Sequence, residues 1–442
     1  MKISRLFKNR IVKNAGWLMM GKIIHMVLSF VIGLITARYL GPSNYGLINY
    51  ASAYATFFTS ICTLGINAII VKNFIDKPDE EGKSLGTTIA LRLLSSILSI
   101  GVIVTIVRLV DGNEPITLTV VFLYSISLLF QSFDIFRQWF QSKLLSKYYA
   151  IATLISYIIA SAYKVVLLMT GKSVEWFAVS NSIDHLIVAV ILYLFYRKSN
   201  GPKLSFSFSK SKELLLVSHS YILAGLMTAI YASTDKLMLK HLMDESAVGF
   251  YALAVSVSSM WSFVLSAFIE SLSPTIMELH NTDKKKYQIA NKRLYAIVFY
   301  FSVIASLGIC IIAPLFIKLV YGAEYLPAVA PLRIVVWFVA FSYLGVARNV
   351  WIVCEKKQKY LKYLYFGSAA CNVILNMLLI PRFGANGAAA ASLFTQISTI
   401  FIFPLCIKEL HPNVRLMAES IILKDVFPKR KNSVSETQNE SE

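Results

Sequence analysis

The sequence predicts an all-α integral membrane protein of about twelve transmembrane helices, arranged as two pseudo-symmetric six-helix lobes with both termini cytoplasmic. Three observations carry this. Hydrophobic residues make up 56% of the 442 and charged residues only 15%, against about 25% charged in a soluble domain. Mean hydropathy is +0.62, and apolar runs recur along the whole chain, unlike a soluble multidomain protein with a single anchor. Lys and Arg gather in alternate connections between those runs, as retention of basic loops in the cytoplasm requires.

A spanning helix needs roughly 20 mostly apolar residues. Such runs lie near 16–40, 48–71, 85–107, 117–138, 148–169, 176–196, 214–239, 248–276, 294–313, 331–353, 363–380 and 387–407. The first is long, lacks a small-residue cleavage site and runs into the turn Gly41-Pro42, so it reads as a span and not as a signal peptide. Before it stand Lys2, Arg5, Lys8, Arg10 and Lys13. Every second connection after it is basic too, around 72–83, 143–147, 197–212, 284–293, 356–362 and from Lys408 onward. These segments hold 30 of the 43 Lys and Arg, while the intervening connections hold only Arg108, Lys172, Lys240, Lys318 and Arg382. A miscounted span would have scrambled the alternation from that point. The net charge of +19 is therefore mostly topology, which removes the nucleic-acid partner that such a charge suggests in a soluble protein.

No connection is long enough for a catalytic domain, and no paired catalytic groups stand in the short outer loops, so no enzyme is expected. Cys62, Cys310, Cys354, Cys371 and Cys406 are odd in number and scattered, without CxxC or Cys/His spacing; neither a disulfide framework nor a metal site is indicated. The end from Pro428 is polar and reads as a disordered cytoplasmic tail.

The two halves resemble each other. RYLGPSNYGLINYASAY (38–54) matches KHLMDESAVGFYALAVSV (240–257) when Gly46 is set on Gly249. FRQWFQSKLLSKYY (136–149) matches RNVWIVCEKKQKYL (348–361), pairing Trp139 with Trp351, Lys147 with Lys359 and Tyr148 with Tyr360. Six spans precede the basic loop at 197–212 and six follow, so the repeats run parallel about an axis along the membrane normal. The expected division is 1–203, 204–427 and a tail at 428–442. Paired six-helix lobes with short loops suit alternating access around a central site, which makes transport the leading class.

Eight bases remain inside the spans, where each costs about 2.5–3.5 kcal/mol at mid-depth in lipid. Arg38, Arg137, Lys236, Arg333 and Arg348 lie close enough to span ends to snorkel; Lys22, Arg92 and Lys164 sit deeper. Lys22, His25, Ser29, Gly33 and Thr36 share one face of the first span, and Thr88, Arg92, Ser95 and Ser99 one face of the third. Similar stripes hold Gln131 and Asp134 in the fourth span and Ser266 and Glu270 in the eighth. Small residues alone serve close packing, but a Lys, Arg or Glu on the stripe points to an aqueous cavity. The intramembrane acids are Asp134, Asp184, Asp235 and Glu270. Asp134 with Arg137, and Lys164 with Asp184, are alternatives as plain structural pairs. Bases outnumber acids, which favours an anionic substrate over a cationic drug, and the chemistry of Arg and Lys suits phosphate or pyrophosphate. Lys22, His25, Arg92, Lys164 and Arg348 are the candidate substrate-binding bases. Asp134, Arg137, Asp184, Asp235 and Glu270 are the candidate gating or coupling groups.

Three segments, ARYLGPSNYGLINYA (37–51), STDKLMLKHLMDESAVGFYALA (233–254) and LIPRFGANGAAAASL (379–393), resemble signatures of the polysaccharide transporter family. That family contains the O-antigen and capsule-unit flippases, in the superfamily that also holds multidrug and toxin extrusion pumps and lipid II flippases. The resemblance spans roughly residues 10–410. It implies a cationic cavity between two lobes and an undecaprenyl-pyrophosphate-linked oligosaccharide moved from the cytoplasmic to the outer leaflet of the bacterial cytoplasmic membrane. Only Asp235, in the TDK segment, carries over by motif; Lys240 stands where a Gly is common. The expected partners are the lipid-linked oligosaccharide, membrane lipids and glycan polymerase or assembly proteins. No cofactor is expected beyond a coupling ion, H+ or Na+. The competing expectations are a cation-coupled drug exporter of the same architecture and a membrane-bound assembly component without transport.

Overall fold

The computed structural model describes residues 2–112 and 114–424, with side chains from residue 26 onward except Val27, Ala68, Ser220 and Ala224. Among the described residues the regular structure is all helical. Eight helices are long and apolar enough to cross a membrane, or nine with one bent pair counted as a span.

Two of the apparent helices are too long to be single rods. A straight helix over Lys2–Cys62 would measure about 90 Å at 1.5 Å per residue, three times a hydrocarbon core of about 30 Å. It breaks at Gly41, whose φ of 71° only glycine adopts readily, and Pro42 follows at the first position of the next helix. The chain reverses there: the Tyr325 hydroxyl donates to the Ala37 carbonyl at 2.7 Å, while its ring meets that of Tyr45. The helix Leu361–Ile397 breaks likewise at Gly384, φ 54°. A Cβ at Gly387 would lie 2.3 Å from the Leu379 carbonyl oxygen, so the two arms fold closely together.

Divided at these glycines, the described chain has twelve helical segments in the expected order. They are α1 (2–40), α2 (42–62, resuming as Asn67–Asp76), α3 (Glu81–Val110), α4 (Pro115–Ser142), α5 (Lys147–Met169) and α6 (Val174–Lys198). The second set is α7 (Phe208–Leu242), α8 (Glu245–Ser259 with Ser262–Thr282), α9 (Lys284–Val320), α10 (Ala323–Cys354), α11 (361–383) and α12 (385–405). Asp244 and Asp283 cap α8 and α9 by accepting from the backbone N–H groups of Ala247, Lys285 and Lys286.

Three spans are less regular than apolar periodicity suggests. The second is not continuous over 48–71, because Leu64 and Gly65 turn the backbone at φ 52° and 62°. A Cβ at Gly65 would lie 2.8 Å from the Ser218 carbonyl, so this turn also seats α7. The fourth contains a 3-10 turn at Ser132–Asp134, and the eighth bends by 41° between Ser259 and Ser262. A thirteenth helix, α13 (His411–Ile421), lies beyond the last span and was not foreseen. It docks through buried Val414, Leu416 and Met417, with Asn413 donating to the Tyr295 hydroxyl at 2.8 Å. The expected tail at 428–442 lies outside the described residues.

Each lobe has its own apolar core. Tyr50, Ile103, Val120 and Phe177, then Ile70, Leu85, Phe140 and Leu192, fill the first. Val248, Ile317, Leu332 and Ile380, then Leu265, Tyr295, Leu344 and Leu364, fill the second. Leu94, Ile97 and Leu98 on α3 and Ile304, Ile311 and Leu315 on α9 stay exposed, as side chains facing lipid do. Helix α7 joins the lobes: Leu214 near its start belongs to the first core and Leu239 near its end to the second.

Candidate substrate and coupling site

A polar seam runs inside the second lobe where α7, α10, α11 and α12 meet. Arg348 of α10 is 4% exposed, and its Nη1 donates to the Thr399 carbonyl at 3.0 Å. Its Nε has no hydrogen-bond partner, and no carboxylate among the described residues pairs with it. The guanidinium borders a cavity of about 260 Å³ that Tyr231, Ser342, Asn349, Ser368 and Gln396 also line. A buried cation with an unpaired donor carries an uncompensated desolvation cost, and here it sits beside a cavity lined by hydroxyl, amide and apolar groups.

Next to this cavity the Tyr231 hydroxyl donates to Gln396 Oε1 at 2.9 Å. Beyond that bond lies Asp235, one turn along α7 from Tyr231. Asp235 Oδ1 accepts from Asn372 at 3.1 Å and Asn376 at 2.6 Å, and Oδ2 accepts from the Tyr251 and Ser392 hydroxyls. Asp235 is 6% exposed, so a buried carboxylate is satisfied by four neutral donors with no cation. Asn372 and Asn376 stand one turn apart in an apolar span, a signal the sequence offers but charge counting passes over. Lys236, adjacent to Asp235, points away and donates to Asn49 of the first lobe at 3.3 Å.

The first lobe holds the remaining candidates, and their pairing differs from expectation. Arg92 is 1% exposed, inside the lobe rather than on a cavity wall. Its Nη2 donates to Asn67 Oδ1 at 2.7 Å while Nε and Nη1 stay unpartnered. Asp134 and Arg137 form no ion pair; Arg137 lies over the Tyr149 ring, 4.6 Å from its centroid. Lys164 and Asp184 do not pair within ion-pair distance either, because Asp184 Oδ1 accepts from the Ser156 hydroxyl at 2.5 Å. Asp134 shares its surroundings with His185, Arg92 and Asp184, and Gln131 links Thr59 to His185. Glu270 is exposed on α8 and makes no hydrogen bond among the described residues. The side chains of Lys22 and His25 lie outside the described residues.

The lobes meet at their outer ends. A Cβ at Gly46 would stand 1.7 Å from the Glu245 carbonyl oxygen, and one at Gly249 would stand 2.1 Å from that of Pro42. Around this contact Lys240 pairs with Glu114 at 3.1 Å and with Glu245. His241 Nδ1 lies 3.6 Å from Asp111 Oδ1, and the Tyr50 hydroxyl donates to Asp111 Oδ2 at 2.8 Å.

Two helical lobes joined at one face, with polar seams buried among their spans, define an all-helical multi-pass membrane protein. Residues 11–280 match the family described as polysaccharide biosynthesis protein, and the chain belongs to that family. It is 22% identical over 400 residues to the capsular polysaccharide biosynthesis protein CapF of Staphylococcus aureus, covering 87% of this chain and 96% of the relative. Among solved structures, its fold is similar to the lipid II flippase MurJ in an inward closed conformation, with TM-score 0.71 and 18% identity over 92% of this chain and 91% of that one. It is also similar to an inward-facing multidrug resistance MATE family transporter, with TM-score 0.63 and 13% identity over 89% and 95%.

Proposed function

We propose that this chain is a flippase for an undecaprenyl-pyrophosphate-linked oligosaccharide, such as an O-antigen, capsule or exopolysaccharide repeat unit. It moves the headgroup from the cytoplasmic to the outer leaflet of the bacterial cytoplasmic membrane by alternating access. The lobes at 1–203 and 204–427 rock against each other about the outer contact, with α7 as the shared element. The observation that carries the reading is Arg348, a buried guanidinium with an unpaired Nε beside a cavity lined in part by hydroxyl and amide groups, and with no carboxylate mate among the described residues. Its planar fork fits a phosphate oxygen pair, and the hydroxyl and amide lining suits sugars. The excess of intramembrane base, with Lys164, Lys22 and His25 as further contacts, supports an anion over a lipophilic cation.

Asp235 is the coupling group in this reading. Loading it with H+ or Na+ alters what Tyr251, Ser392 and the two Asn donate to, and Tyr231 with Gln396 carries that change to the Arg348 cavity. The decisive experiment reconstitutes the purified protein in liposomes with a fluorescent undecaprenyl-pyrophosphate oligosaccharide and follows its transfer to the opposite leaflet. Transfer that Arg348→Gln abolishes without loss of protein supports the proposal. Transfer that is absent, or export of a lipophilic cation in its place, overturns it.

A further inference from the structure

A second charged chamber lies at the cytoplasmic end of the second lobe, where α9 and α10 meet α13. Its volume is about 1060 Å³, and Lys284, Lys292, Lys357, Lys408, Arg415 and Lys424 line it. The three carboxylates on its wall are already engaged. Glu419 is held by Lys292 at 2.6 Å and Arg415 at 2.8 Å, Glu355 lies 3.5 Å from His280, and Glu409 meets Tyr360 and lies in the field of Lys357 and Lys359. That leaves Lys284, Lys408 and Lys424 around the chamber without an acidic neighbour in ion-pair distance among the described residues.

The repeated lobe gives an internal control. Trp139, the counterpart of Trp351, donates its indole N–H to Glu81 at 2.8 Å, and Lys143 completes an ion pair with the same carboxylate. The chain at 199–207 then packs over the site, its Lys203 carbonyl lying 2.2 Å from where a Cβ on Gly82 would stand. In the second lobe the place is open. Trp351 is 4% exposed and lines the chamber, yet its indole N–H has no partner among the described residues. An indole donor open to a chamber where six Lys and Arg outnumber three carboxylates suits an anion.

The neighbouring surface indicates what kind of anion. An apolar groove of about 400 Å³, lined by Tyr360, Leu364, Gly367, Phe403 and Ile407, adjoins the chamber. The two share a border at the Ile407–Lys408 peptide and at Tyr360, which reaches Glu409. A cationic chamber at membrane-surface depth that opens beside an apolar groove fits an amphiphile better than a soluble phosphate. We propose that this chamber binds an anionic glycerophospholipid of the cytoplasmic leaflet, its phosphate among the free lysines and an acyl chain along the Tyr360–Phe403 groove. The site is separate from the Arg348 seam and stands whether or not the transport reading does.

The test is native mass spectrometry on the delipidated full-length protein titrated with phosphatidylglycerol and with phosphatidylcholine. Phosphatidylglycerol should bind at least about tenfold more tightly. The exposed-lysine variant Lys284→Gln/Lys408→Gln/Lys424→Gln should lose that preference while its thermal unfolding stays unchanged. Gly367→Leu, which fills the groove, should weaken long-chain phosphatidylglycerol but not a short-chain analogue. Equal binding of the two lipids, or an unaltered preference in the triple variant, overturns the proposal. So does displacement of phosphatidylglycerol by inorganic phosphate at equal concentration, or a site that takes only undecaprenyl pyrophosphate.

Discussion

Gly46 of α2 and Gly249 of α8 occupy equivalent positions in the two lobes and pack on one another. Gly46 faces the carbonyl of Glu245 and Gly249 faces the carbonyl of Pro42. Glu245 is to Gly249 what Pro42 is to Gly46, so the contact is reciprocal, as at a two-fold interface between identical chains. It closes the outer end only because neither residue carries a Cβ.

Gly249→Val should therefore pry the outer ends apart. Overpacking costs about 1–3 kcal/mol, which shifts the ratio of closed to open forms by roughly five- to 150-fold. With Asn49→Cys as reporter in a cysteine-free background, labelling by an impermeant thiol reagent from outside should rise accordingly. Unchanged labelling would mean that this contact is not the outer gate.

The ion pairs of Lys240 should act on the same equilibrium more weakly. Lys240→Gln removes its bridges to Glu114 and Glu245, and half-exposed pairs contribute about 0.2–1 kcal/mol each. Loss of the two pairs together should raise labelling at the same reporter roughly two- to thirtyfold, on average below the Gly249→Val effect.

Arg348 and Arg92 should separate function from folding. Arg348→Gln retains a donor toward Thr399 and should eliminate transport at normal protein level. Arg92→Ala leaves Asn67 without its partner and a void in the first lobe, so it should lower thermal stability and membrane abundance. A loss of transport in Arg92→Ala at full abundance and stability would return Arg92 to the substrate path.

The contrast between these two arginines illustrates what was legible beforehand. Their presence within spans, the alternation of basic loops and the glycine match between halves are local properties of the sequence. Whether an arginine finds a partner depends on residues such as Asn67 and Thr399, which lie in other helices and carry no charge to flag them. The same holds for Asp235: the acid is evident, but Asn372, Asn376 and Ser392 come from more than a hundred residues away. Helix α13 is not announced by the sequence because its eleven residues form no apolar run, and Lys292 and Tyr295, which receive it, lie more than a hundred residues away.

Docking of α13 should depend on pH through Glu419. Hydrogen bonds from Lys292 and Arg415 bring its carboxyl down to about 2, below the ordinary glutamate value of about 4.3. A lowered folded-state value contributes stability above the ordinary value and loses it as pH falls toward the lowered one. A spin label at Ala418→Cys should stay immobile from pH 8 to about 5 and loosen between roughly pH 4 and 2. Glu419→Gln should remove that acid transition and leave α13 looser at neutral pH.

The coupling role of Asp235 is open to the sharpest test. Asp235→Asn keeps the shape but replaces one acceptor oxygen with an N–H donor group, which then confronts donors that had pointed at a carboxylate. Each buried donor left unpaired costs about 1–3 kcal/mol, although the Tyr251 and Ser392 hydroxyls can rotate to accept. The variant should fold with a lowered melting temperature and carry out no net transport, while still binding the lipid-linked oligosaccharide at the Arg348 cavity. Wild-type melting temperature should also respond to Na+ at constant pH, and the variant's should not. Transport by Asp235→Asn at the wild-type rate under the same ion gradients would remove Asp235 from the coupling path and reduce its network to a structural tie among α7, α8, α11 and α12.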